Sequence, residues 1–241
     1  MPSSVACACV CSMVQQCCST SYETASGRCI LNKRTSPETE TADNSNVMMK
    51  IPDSISNHQP KDCSDLPPCT KSGVFEIYPD GTNKIDLYCD MDTAGGGWTV
   101  AVGPMGNDNL HILTKARNYV MRFEMQDFEN NTAYAEEYQS FRVNNEASKY
   151  TVSFTGYMGT AGNGFENNNG MKFTTRDRDN DLHMYHCGLG QQGAWWYNAC
   201  SQSTLNGIYK PEGTTGAKII YWKTWRNTTL KATGMKIRPI N

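Results

Sequence analysis

Three aspartates stand at alternate positions in Asp177-Arg178-Asp179-Asn180-Asp181. Short carboxylates at that spacing can turn their oxygens toward one hard cation, and calcium, which takes six to eight oxygen ligands in flexible geometry, suits the set. An EF-hand is excluded: counted from Asp177, Leu182 stands where that loop needs glycine and Gly188 where it needs glutamate. The block Gly193-Ala194-Trp195-Trp196-Tyr197-Asn198-Ala199-Cys200 follows closely. Large aromatics are buried on average, so Trp195 and Trp196 are expected beneath the acidic loop as support rather than on a binding surface. No serine, cysteine or carboxylate stands in a recognisable nucleophile setting, and no phosphate-cradling glycine loop leads into a helix. Gly95-Gly96-Gly97 precedes the strand-like Trp98-Thr99-Val100 and reads as a turn. This chemistry is that of binding, not catalysis.

Several short strands would have to position this loop. Val74–Tyr78 and Ile85–Cys89 flank the turn signal Pro79-Asp80-Gly81. Tyr119–Met125 and Tyr150–Phe154 alternate, which predicts strands with one buried face. Ala133 to Phe141 carries Tyr134, Tyr138 and Phe141 near helical spacing and predicts a short helix or an aromatic-edged crossover. Beyond Gly156 periodicity fades into Gly, Asn and Asp, until Ile219–Trp222 and Gly234–Pro239 regain strand character. A long aperiodic stretch inside a domain is usually functional or disordered, and the tryptophans and cysteines of this one argue for function.

The 241 residues suffice for one good-sized domain and a small appendage. A net charge of -2 without a basic stripe excludes a nucleic-acid partner, and no apolar run approaches the ~18 residues of a membrane span. Of eleven cysteines, six lie between Cys7 and Cys29, a usage that fits an oxidising, extracellular compartment and hence a secreted protein. Sequons at Asn130 and Asn227 agree with glycosylation there. Met1 runs directly into Pro-Ser-Ser-Val-Ala-Cys without a signal-peptide pattern, and the cysteine usage favours a leader missing from this sequence over an intracellular protein. Zinc is disfavoured, because no closely spaced cysteine pair is followed by a second at finger spacing. The organisation expected is a cysteine-rich segment over 1–33, a polar linker over 34–60 and a globular domain over 61–241.

Within that domain Lys61-Asp62-Cys63-Ser64-Asp65-Leu66, Gly73 through Gly81, Tyr88-Cys89-Asp90-Met91-Asp92 and Gly95-Gly96-Gly97-Trp98-Thr99-Val100 open a series of motifs. The series continues through Asn169-Gly170-Met171-Lys172-Phe173, the acidic loop, the Trp-Trp-Tyr block, Leu205-Asn206-Gly207-Ile208-Tyr209 and Met235-Lys236-Ile237-Arg238-Pro239. In this order they resemble the fibrinogen C-terminal domain, shared by fibrinogen subunits, ficolin- and tachylectin-like lectins, angiopoietins, tenascins and invertebrate defence proteins. The resemblance implies an α+β fold with a central, mostly antiparallel sheet, short helices and a long irregular calcium-binding loop region. It also implies secretion and recognition of carbohydrate or acetylated surface groups, or of a cell-surface protein, with homo-oligomers raising avidity. Two features depart from it. Roughly thirty residues, about one supersecondary unit, are missing between Val100 and Gly106, so that a poorly folding truncated isoform is an alternative. Residues 1–33 resemble only part of a PAN/apple module.

Carried over residue by residue, the resemblance makes Asp179 and Asp181 calcium ligands through their side chains, and His183 and Tyr185 through their carbonyls. It pairs Cys63 with Cys89 and Cys187 with Cys200, and leaves Cys69 without a partner. It places a cis bond at His186-Cys187, which would free the Cys187 amide to meet a ligand carbonyl. Tyr197, Asn206 and Tyr209 are further ligand-contact candidates. Gly188 and Thr204 stand where acetyl-binding members place ring side chains, which leaves ligand specificity open.

Overall fold

The computed structural model describes residues 17–23, 28–33, 59–67, 70–101 and 105–240. Strands β1 (Cys17–Glu23) and β2 (Arg28–Lys33) form an antiparallel hairpin. The expectations for Cys7, Cys9, Cys11 and Cys69, and all but the last two residues of the linker expected over 34–60, lie outside the described residues.

A single antiparallel sheet organises the domain. Its strands are β3 (Gly73–Ile77), β4 (Ile85–Asp90), β5 (Trp98–Val100), β6 (Tyr119–Gln126), β7 (Thr132–Val143), β8 (Val152–Thr155), β9 (Met158–Gly159) and, from far along the sequence, β12 (Ala232–Pro239). The order is β3-β4-β5-β12-β6-β7-β8, with β9 added to β7. The β3–β4 turn forms where Pro79-Asp80-Gly81 predicts it: the Asp80 carboxylate accepts from the backbone N–H of Thr82 and Asn83, and Gly81 adopts φ 79°.

Alternation in β6 sends Tyr119, Met121, Phe123 and Met125 into the core, beside Met235 and Ile237 of β12. The opposite face of the same strand is also largely covered, against the expectation of one buried face. Arg122 lies over the Tyr134 ring at 4.2 Å, and the guanidinium of Arg238 covers Trp98 at 4.3 Å. Between them Lys236, only 3% exposed in its side chain, pairs with Asp90 and Glu124, each at 2.7 Å. Burial alone would raise the Asp90 carboxyl, but the Lys236 ammonium and the Thr93 and Asp92 donors hold it well below its ordinary value.

The helix or crossover expected from Ala133 to Phe141 is instead strand β7, paired with β6 from Gln126↔Thr132 to Tyr119↔Phe141. Two register shifts and a left-handed Ser140 (φ 51°) interrupt the two-residue repeat, which is why the aromatics fall at near-helical spacing. The helix lies earlier. Helix α1 (Asn107–Ala116) follows Gly106 and buries Leu110 and Leu113, while Thr114 Oγ1 accepts from the Val143 N–H and so ties α1 to β7. The Cys63–Cys89 disulfide fastens the start of the domain to β4. Next to it the buried Asp62 carboxylate accepts from Arg117 at 3.0 Å and from the Tyr119 hydroxyl at 2.7 Å.

Between β9 and β12 regular structure is sparse: a 3-10 turn at Glu166–Asn168, the four-residue helix α2 (Cys187–Gly190) and the two-residue pair β10 (Ser203–Thr204) with β11 (Tyr221–Trp222). This half is held by aromatic packing. Phe123 meets Phe165, Trp195 and Trp222 at centroid distances of 4.9, 6.2 and 5.2 Å, and Trp195 meets Trp196 at 5.5 Å. No helix among the described residues is long and apolar enough to cross a membrane.

Candidate calcium loop and recognition surface

The acidic loop is built on the buried tryptophans. Thr174 and Trp195 exchange two backbone hydrogen bonds at 2.9 and 3.0 Å, which seat the start of the loop on the core. Asn180 then turns inward, taking its backbone N–H to Thr174 Oγ1 and its side-chain amide to the Phe173 carbonyl. The Leu182 N–H reaches the Asn198 carbonyl at 3.0 Å. The Cys187–Cys200 disulfide closes the far side, tying α2 to the end of the Trp-Trp-Tyr block. Trp195 and Trp196 are almost wholly buried, and Trp196 Nε1 donates to the Tyr150 carbonyl at 2.8 Å.

With Asn180 turned inward, Asp179 and Asp181 converge. Their carboxylates and a ring nitrogen of His186 all lie within 4.8 Å of one another. Asp177 does not join them; its Oδ1 accepts from Thr175 Oγ1 at 2.7 Å, which holds its carboxyl below the usual range. Asp181 is the less exposed of the pair. Its two oxygens accept from the His183 and Cys187 N–H groups, both at 3.0 Å. Those amides favour the carboxylate, yet burial, joined by the neighbouring Asp179 carboxylate, pushes its pKa up. Two converging carboxylates, with Asp181 burdened by burial and by its neighbour's charge, fit a bound hard cation, which would relieve both costs.

Two expected ligand contacts are corrected. The cis peptide of this region is Ala199-Cys200, not His186-Cys187, and the Cys187 N–H is taken by Asp181. Tyr197 is fully buried: its hydroxyl donates to the Gly193 carbonyl at 3.1 Å and lies 3.4 Å from Thr204 Oγ1, and burial pushes its pKa up to about 12. It braces the loop from inside. Asn206 and Tyr209 remain at the surface. The Asn206 amide donates to the Ala194 carbonyl at 3.1 Å, and Tyr209 is 59% exposed with Phe128 6.4 Å away.

Gly188, at one of the two ring positions of the acetyl-binding members, is buried, and a Cβ there would meet the Thr175 carbonyl oxygen at 2.6 Å. His183 and Tyr185 sit close together, with Tyr185 N–H donating to His183 Nδ1 at 3.0 Å. His186 caps α2 by accepting from the Leu189 N–H. Its approach to the carboxylates is not visible in residue spacing, because it depends on the turn into α2. Asn168 was also missed: fully buried, it donates to the Trp196 carbonyl at 2.6 Å and to Ser201 Oγ at 3.0 Å, and so locks the two ends of the loop region together.

Comparison with known proteins settles the lineage. The profile of the C-terminal globular domain of the fibrinogen beta and gamma chains matches residues 59–103 and 104–240. The protein belongs to the fibrinogen C-terminal domain family. Among its relatives, Techylectin-5A of Tachypleus tridentatus is 36% identical over 223 residues, covering 77% of this chain and 76% of the relative. Ryncolin-4 of Cerberus rynchops is 35% identical, covering 70% of this chain and 58% of its own length. The fibrinogen-like globe domain of human ANGPTL6 superposes with a TM-score of 0.70 at 27% identity, over 76% of this chain and 97% of that one. Fibrinogen-related domains are typically recognition modules without enzymatic activity, and the two disulfides of the described residues are consistent with an extracellular location.

Proposed function

We propose that this protein is a secreted, calcium-dependent, lectin-like recognition protein that binds carbohydrate or acetylated groups in innate defence. The observation that carries the reading is the convergence of Asp179 and Asp181 on a disulfide-closed loop, with Asp181 burdened by burial and like charge. These two carboxylates, with the carbonyls of His183 and Tyr185, would hold the ion, and His186 stands at its edge. Bound calcium supplies a fixed positive charge that locks the loop. The protein's own residues do the rest: the tryptophans support it from below, and the exposed Asn206 and Tyr209 offer an amide and an aromatic face to a sugar. The name of Techylectin-5A describes a lectin, in keeping with this reading. A glycan array probed with and without calcium tests it; folded protein that captures no glycan in a calcium-dependent way ends the lectin reading.

A second reading, adhesion or receptor binding to another protein, is favoured by one observation. The solved lamprey fibrin D-dimer, 26% identical with a TM-score of 0.67, is a complex with the peptide Gly-His-Arg-Pro-amide. The division of the family match at residues 103 and 104 supports treating the protein as a shortened form, a question that the full transcript would answer.

A further inference from the structure

The calcium loop carries a feature that neither metal binding nor sugar binding uses. Leu182, Met184, Tyr185 and Leu189 are 68, 84, 72 and 53% exposed, four large apolar side chains within eight residues. Isolated exposed apolar residues are ordinary, but a run of them beside a cation site is not explained by packing. Their main chain is fixed by Asp181, Asn198 and the Cys187–Cys200 bridge, so the side chains project from a rigid base.

The charge beside them is set by the metal. Residues 176–181 carry two arginines and three aspartates, and the adjacent Glu146 and Lys149 cancel each other. The net charge of this patch is therefore -1 without calcium and +1 with it. Apolar tips on a patch that turns positive on loading suit a soft, anionic, partly apolar surface. A phospholipid interface accepts leucine and methionine side chains without needing a matching cleft, favours tyrosine at headgroup depth, and attracts net positive charge.

We propose that this loop docks peripherally on anionic phospholipid when calcium is held by Asp179 and Asp181, with Leu182 and Met184 entering the interface. The inference rests on the calcium reading above. The test is co-sedimentation of the intact protein with vesicles of phosphatidylcholine alone or mixed with phosphatidylserine, in calcium or chelator, alongside calorimetric titration with calcium alone. Capture by the mixed vesicles in calcium only is expected, together with about tenfold or greater weakening in a Leu182→Ser, Met184→Ser variant that still takes up calcium. Calcium uptake without vesicle capture overturns the docking proposal and leaves the metal reading standing. Equal capture by phosphatidylcholine alone, or undiminished capture of the serine variant, overturns docking as well. Absence of both uptake and capture overturns both readings.

Discussion

Replacing Asp181 with asparagine separates what its charge does for calcium from what its oxygens do for the fold. Without calcium, asparagine keeps one oxygen for one of the two N–H groups that Asp181 accepts and loses the other bond, a cost of about 1 kcal/mol. Against that stands relief of the burial and like-charge penalty that raises the Asp181 pKa. The two effects oppose each other, so the calcium-free variant should melt within about 2–4 °C of the wild type for a domain of about 180 residues (59–240). The sign with pH follows from the raised pKa. Ionised Asp181 costs stability at neutral pH, and that cost disappears as pH falls through its folded pKa, so mild acid should narrow any gap in which the variant is the more stable. In calcium the order changes. At about a hundred times the dissociation constant, binding adds about 2.7 kcal/mol to the wild type alone, or about 5–11 °C in Tm. Thermal melts monitored by circular dichroism, with calcium and with chelator, measure both differences. An equal calcium shift in the two proteins would place the ion elsewhere, and a calcium-free variant melting about 10 °C lower would show Asp181 to be structural instead.

Three further outcomes are expected. Joint replacement of Cys187 and Cys200 by serine opens a loop of sequence separation 13 and should lower unfolding stability by about 3 kcal/mol in urea titrations, while weakening calcium uptake. Gly188→Ala drives a Cβ against the Thr175 carbonyl oxygen and should cost about 1–3 kcal/mol, read from the same titrations; a neutral result would mean that the loop base can yield. Lys236→Met leaves Asp90 and Glu124 without their ammonium and should cost about 3 kcal/mol, the low end for a broken buried pair because Glu124 is one-third exposed. Asp90 stabilises the wild type above its ordinary value of 3.8 and ceases to do so as pH falls through its depressed folded pKa, so acid melts should show a smaller loss in the variant.

The sheet was legible wherever pairing left the two-residue repeat intact, as in β3, β4, β6 and β12. It was hidden in β7, where bulges moved the aromatics out of step and the loss mimicked a helix. Helix α1 was overlooked because only Leu110 and Leu113 anchor it, too few for a clear periodic stripe. In the loop, alternate spacing named three aspartates, but which two converge depends on Asn180 turning into Phe173 and Thr174, a tertiary contact with no local signature. Residue type predicted burial of Trp195 and Trp196. It could not tell that Tyr197, one position on, is buried as well, because a tyrosine hydroxyl serves an internal carbonyl as readily as it serves a ligand.

Strand β12 sits at the centre of the sheet, between β5 and β6, although more than a hundred residues separate it from either. Its eight-residue register with β6 makes it the seam of the domain. On the ribosome, the two halves of the sheet are made early and wait, unjoined, until residue 239 has been synthesised. A premature stop codon as late as codon 230 would therefore remove little mass and yet leave two open strand edges. Such nonsense alleles should behave as nulls, cleared as misfolded chains rather than accumulating as slightly shortened protein.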